Sequence, residues 1–187
     1  MSGRSARLAV LLDVDGVLNA GCDEPREICK CHPGWTRVWA HPNPPYGRYK
    51  LTLNPAHGPL LRDLAADNKA ELVWATYWED EANVWVSPTV GLPDNLPHVP
   101  IPPQFRQKHS PGEWKALLIA SWAKGRPFVW FEDELDAPGT LIKLAASGDY
   151  DLGPFLVVTV DERTGLTEDH VAQAAAWMRD LTSESRP

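Results

Sequence analysis

The chain has 187 residues, of which 43% are apolar, enough for one compact α/β domain spanning residues 1–187. It has no apolar run of about 18 residues, residues 1–7 lead straight into a strand pattern, and the formal charge is -7. These features argue against a membrane span, a secretory leader and a general nucleic-acid binder, and they predict a soluble, cytoplasmic protein.

The first pattern, RLAVLL at residues 7–12, is a short apolar run ending at an acidic residue and reads as a strand buried on both faces. Residues 20–50 follow, rich in Pro, Gly, Cys and Trp, and read as a flap of extended loop without regular helix. Leu60, Leu61, Leu64 and Ala65 fall at helical spacing and predict a helix over 57–68, and ELVWA at 71–75 reads as the second buried strand. Residues 87–111 hold seven prolines, which predicts stiff extended loop and no helix.

Trp114, Leu117, Leu118 and Trp122 then predict a helix over 111–124, PFVWF at 127–131 a third strand, and residues 139–147 a short helix. FLVVTV at 155–160 gives the fourth strand, and residues 167–182 a longer helix with Thr167 as N-cap and Glu168 and Asp169 in its first turn. Strands alternating with helices imply right-handed crossovers and a doubly wound three-layer α/β sandwich on a mainly parallel, Rossmann-like sheet.

Charge is uneven along this order. Residues 21–50 carry five basic and three acidic side chains, residues 104–131 five and one, and residues 132–187 four and twelve. The two basic segments could face an anionic substrate. Cys22, Cys29 and Cys31 are odd in number and close together, so a disulfide framework is not expected. With His32 they offer four ligands for a structural zinc in the flap, although Cys29 and Cys31 also alternate as strand neighbours would.

In an open parallel sheet, reactive groups gather beyond the carboxyl ends of the strands. The first strand runs there into Asp13-Val14-Asp15-Gly16-Val17-Leu18-Asn19, where Gly16 allows the sharp turn that points both carboxylates into one cleft. DVDGVLN resembles the first motif of haloacid dehalogenase (HAD) superfamily phosphatases, of a small-cap type. The resemblance extends by order of motifs and strands from residue 7 to about residue 160.

It implies a magnesium-dependent phosphomonoester hydrolase. Asp13 would be the nucleophile, forming an aspartyl-phosphate, and Asp15 the general acid and base. Thr76, after the second strand, would bind a phosphoryl oxygen, and Lys115, with Lys108 as competitor, would neutralise the phosphorylated intermediate. Magnesium would be held by Asp13, the Asp15 main-chain carbonyl, and Asp133 or Glu132, where the family usually shows Asp-Asp. Asp136 would be a distant helper or a helix cap.

Family cap domains choose the substrate, and residues 20–50 are too few for a large one. This implies an open site able to take a large substrate such as a polynucleotide end, a protein or a sugar polymer, with nucleotides or polynucleotide ends as one possible class. Trp35, Trp39, Tyr46 and Tyr49, with Arg37, Arg48 and Lys50, could stack on bases and pair with phosphates, or the rings could pack the flap onto the domain. Trp74, Trp130 and Trp177 follow core periodicity. Two other functions share this residue set: a noncatalytic module that binds a phosphorylated ligand, and a phosphotransferase or phosphomutase.

Overall fold

The computed structural model describes residues 7–21, 31–42, 47–102 and 110–184. In chain order they form β1 (Ala9–Leu12), the pair β2 (Thr36–Ala40) and β3 (Tyr49–Leu53), helix α1 (His57–Asp67) and β4 (Glu71–Trp74). The short helices α2 (Glu81–Trp85) and α3 (Ser87–Val90) come next, followed by α4 (Pro111–Ala123), β5 (Phe128–Glu132), α5 (Ala137–Ser147), β6 (Phe155–Thr159) and α6 (Glu168–Glu184).

The four apolar runs pair as one parallel sheet in the order β4-β1-β5-β6. β1 lies inside it, with every residue buried, and its alternate side chains feed two separate cores. Val10 and Leu12 join Leu61, Leu64, Phe131, Ala174 and Met178 on the face covered by α1 and α6. Ala9 and Leu11 join Trp114, Ile119, Phe128, Trp130 and Leu141 on the face covered by α4 and α5. This two-sided burial explains why the strands read as continuous apolar runs, and it produces the predicted three layers. Trp74 and Trp130 are fully buried, and Trp177 packs from α6 onto the first core.

Three local expectations change. Residues 20–50 are not all irregular: β2 and β3 form an antiparallel pair, with Val38 opposite Leu51 and Trp39 opposite Lys50. Leu51, Leu53 and Ala40 enter the main core, so the β2–β3 pair is anchored to the domain by apolar burial. Within the proline-rich segment, Ser87–Val90 is helical, because Pro88 falls in the first turn, where no N–H is needed. Further along, Trp74 N–H donates to Pro97 and Val99 N–H to Trp74, so this segment covers the open edge of β4.

The third change concerns β6, which is only half buried because it is the outer strand. At the start of α6, Thr167 Oγ1 accepts from His170 N–H at 3.4 Å, as an N-cap does. Asp136 precedes α5 but makes no side-chain cap bond. It accepts instead from the Ser110 hydroxyl, tying the start of α4 to the loop after β5.

The flap cysteines differ from expectation as well. Cys31 is disulfide-bonded, so a disulfide exists where none was expected, and Cys31 has no thiolate to offer zinc. Cys22 and Cys29 lie outside the described residues. His32 Nε2 sits 2.7 Å from the Gly21 carbonyl, and its ring packs on Trp35 at 4.4 Å. The described half of the predicted zinc set is therefore engaged in other contacts.

Candidate active site

Parallel register brings three strand tips to one edge of the sheet. Leu12 lies beside Trp74 on one side and Phe131 on the other, so Asp13, Ala75-Thr76 and Glu132-Asp133 all extend past the same edge. Asp13, Glu132 and Asp133 each place a carboxylate oxygen within 4.8 Å of the other two.

Lys115 enters from α4. Its ammonium donates to Asp13 Oδ2 at 2.7 Å and to both Glu132 oxygens, at 2.5 and 2.7 Å. Burial works against its charge, but the Asp13 and Glu132 carboxylates outweigh burial and hold the Lys115 pKa above the ordinary lysine value. Glu132 is completely buried. Burial and the Asp13 charge push its pKa up, and Lys115 pulls against them. Two short contacts from one ammonium favour the ionised form of Glu132. Lys108, the competing lysine, lies outside the described residues.

Asp133 lies against the bare Cα of Gly16: a Cβ there would stand 2.3 Å from the Asp133 carboxyl carbon. Gly16 is also left-handed, with φ of +79°, so it is required both by its backbone and by the close approach of Asp133. Burial first, and then the Asp13 charge, push the Asp133 carboxyl up to about 6. When all three are ionised, three carboxylates against one ammonium carry two uncompensated negative charges, which one Mg²⁺ would balance. All the donors are hard oxygens, the ligand type this ion selects. Glu132 accepts from Lys115 at both oxygens, and Asp13 accepts from Lys115 at Oδ2 and from Val14 N–H at Oδ1, whereas Asp133 takes no hydrogen bond from Lys115.

Asp15 opens toward the cleft. Its Oδ1 accepts from Asn19 Nδ2 at 2.7 Å and its Oδ2 from Trp78 Nε1 at 2.8 Å. Loss of water around it and the Asp13 charge raise its pKa, while the two hydrogen bonds and Lys115 oppose the shift. Sequence reasoning assigned no role to either hydrogen-bond donor. Asn19 closes the DVDGVLN turn, and its Oδ1 also accepts from Thr52 N–H at 2.8 Å, joining the flap to Asp15. A polar residue just after the apolar Val17-Leu18 pair was the available signal. Trp78 gave none, because its role depends on tertiary approach.

Thr76 is buried at the tip of β4, and its Oγ1 accepts weakly from Trp78 N–H at 3.5 Å. It lines the same narrow internal space as Lys115. Among the flap aromatics, Trp35 packs inward between His32 and His57. Trp39 is 50% exposed beneath the Arg48 guanidinium, and Tyr49 meets Trp78 edge-on at 5.6 Å. Tyr46 lies outside the described residues.

A parallel sheet in the order β4-β1-β5-β6, flanked by helices and carrying an acidic turn after β1, has the fold of the HAD superfamily. The family model for the HAD domain in Swiss Army Knife RNA repair proteins matches residues 9–171, and the chain belongs to that family. No curated protein and no solved structure matches it. Among the described residues, no helix is long and apolar enough to cross a membrane.

Proposed function

We propose that the chain is a magnesium-dependent phosphomonoester hydrolase that removes terminal phosphate from nucleic-acid ends, RNA ends foremost. The observation that carries this is the division of labour between two aspartates on one turn. Asp13 is buried against Lys115, and Asp15 faces the cleft with a raised pKa.

In the first step an Asp13 oxygen attacks phosphorus, and the bond from phosphorus to the leaving sugar oxygen breaks. Protonated Asp15 supplies the proton which that oxygen needs. In the second step Asp15, now a carboxylate, takes a proton from water as the water oxygen attacks the same phosphorus. The bond to Asp13 breaks and inorganic phosphate leaves. Lys115 offsets charge beside Asp13 throughout, and the Thr76 hydroxyl is the candidate donor to a phosphoryl oxygen. Asp13, Asp133 and the Asp15 carbonyl would hold magnesium, whose charge would draw electron density from the phosphoryl oxygens.

The nucleic-acid part of the proposal is supported by the RNA-repair family and by the basic outer side of the β2–β3 pair, where Arg37, Trp39, Arg48 and Lys50 are exposed. The experiment is phosphate release from oligoribonucleotides phosphorylated at the 3′ or the 5′ end, with magnesium or with chelator. Release that needs magnesium and is lost in Asp13→Asn is expected. Transfer of phosphate to an added hydroxyl acceptor without free phosphate would point to a phosphotransferase. Tight binding of the phosphorylated end without turnover would point to a noncatalytic module.

A further inference from the structure

Beside Asp15 lies a cleft of about 190 Å³, lined by Asp15, Pro42, Tyr49, Tyr77, Trp78 and Glu81. Three of these six residues are aromatic, and two of the rings are partly exposed, Tyr49 45% and Tyr77 37%. Both are oriented by ring contacts, Tyr49 edge-on to Trp78 at 5.6 Å and Tyr77 edge-on to Trp114 at 5.2 Å. Held, exposed aromatic faces are the means by which proteins bind flat rings at small entropic cost.

The charges around this cleft determine what enters it. Among the described residues its ionisable lining groups are Asp15, Glu81 and the two tyrosine hydroxyls, none of them a cation that would receive a phosphoryl group. The cation that the described residues place at Asp13 is Lys115. Asp15 stands between the two regions, and it is the group that would protonate the leaving oxygen. A phosphomonoester seated with its phosphorus at Asp13 therefore directs its organic portion into the aromatic cleft. At about 190 Å³ the cleft is below the 300–1,000 Å³ usual for a drug-sized ligand and suits a single ring system.

The outer side of the flap indicates what carries that ring. Arg48 and Lys50 flank Tyr49 in sequence, Lys50 pairs with Trp39 across the strands, and the Arg48 guanidinium lies 3.9 Å from the Trp39 ring centre. Arg37 lies two residues before Trp39, on the same side of the strand. Cations interleaved with an exposed aromatic suit a phosphate backbone with stacked bases, whereas a free sugar phosphate has no use for them.

We propose that the Tyr49–Tyr77–Trp78 cleft is a stacking subsite for the terminal nucleobase of the phosphorylated strand, whose next nucleotides run over the basic side of the flap. This rests on the hydrolase proposed above. Trp78 serves twice, as a wall for the base and as the hydrogen-bond donor that orients Asp15, so base binding and proton delivery share one side chain.

The test compares a phosphorylated oligoribonucleotide with the same strand ending in an abasic residue that bears the same phosphate. Both are measured by phosphate release and by fluorescence anisotropy, with glycerol phosphate as a ring-free reference. The intact end should exceed the abasic end in kcat/KM and in affinity by about tenfold or more, within the range known for one stacked base. Tyr77→Phe should keep that ratio, and Tyr77→Ala should bring it toward one.

Equal kcat/KM for intact and abasic ends, with phosphate released from both, overturns the cleft proposal and leaves the hydrolase standing. A base-dependent affinity with no release from any substrate, glycerol phosphate included, overturns the hydrolase and leaves the cleft as a base-binding site. Neither release nor base-dependent affinity overturns both.

Discussion

Replacing Lys115 by Met keeps a side chain of similar length and removes the only positive charge seen to contact Asp13 and Glu132 among the described residues. Lys115 is 6% exposed, and its ammonium bonds both carboxylates at 2.5 to 2.7 Å. Its loss strands two buried negative charges that lie within 4.8 Å of each other and of Asp133. Breaking a buried pair by removing one partner costs about 3–5 kcal/mol. At this chain length each kcal/mol moves the melting temperature by about 2–4 °C, so the apoprotein should melt roughly 6–20 °C lower. Magnesium should recover part of the loss, and should stabilise the variant more than the parent, because it meets a more negative site. The assay is thermal unfolding followed by circular dichroism, with magnesium and with chelator. A melting temperature within about 2 °C of the parent in chelator would show that the Lys115 pairing has no such role.

Three further outcomes follow from the geometry. Gly16→Ala places a Cβ at left-handed φ, which costs about 1–2 kcal/mol, and drives it into Asp133; magnesium-induced stabilisation should largely vanish, and a parental thermal shift on titration would contradict this. The Asp133 carboxyl is pushed up to about 6, above its ordinary value of 3.8, so the stability linked to its proton is full below the lower value and fades as pH rises through the higher one. Magnesium favours the carboxylate, so it should raise the melting temperature more near about pH 8 than near about pH 5; Asp133→Asn should abolish that difference, and its persistence in the variant would count against Asp133 as the source. Trp78→Phe removes a hydrogen bond that stabilises the Asp15 carboxylate, so Asp15 should hold its proton to higher pH and the alkaline limb of kcat/KM should move upward; an unmoved limb would remove Trp78 from the tuning of Asp15.

What could be seen in the sequence was whatever depends on continuous burial or on local turn chemistry. β1 and β5 are buried on both faces, so each gives an uninterrupted apolar run, and the acidic residues at their ends mark the rim of the sheet. The β2–β3 pair was less visible, because Arg37, Trp39 and Lys50 face outward while Val38, Leu51 and Leu53 face the core. That alternation is spread over two short stretches joined without an Asn-Gly or Asp-Gly turn. Pro88 hid a short helix because a proline in a first turn looks the same in sequence as one in a loop.

Within the site, Glu132 and Asp133 were found as a pair but not separated. Their difference arises from the reach of Lys115 across 17 residues to Glu132 and from the bare Cα of Gly16 under Asp133. Neither contact follows from spacing. The partnership of Trp78 with Asp15 spans 63 residues and was equally hidden, whereas Asn19 sits only four residues from Asp15 and was within reach of a local reading.

The decisive measurement is mass spectrometry of the protein quenched in acid during turnover of a phosphorylated oligoribonucleotide with magnesium. One phosphoryl group should be found on the peptide that carries Asp13, and it should be absent in chelator and in Asp13→Asn. Phosphate release at full rate with no such adduct in wild type, or undiminished release by Asp13→Asn, would contradict the assignment of Asp13 as the attacking group.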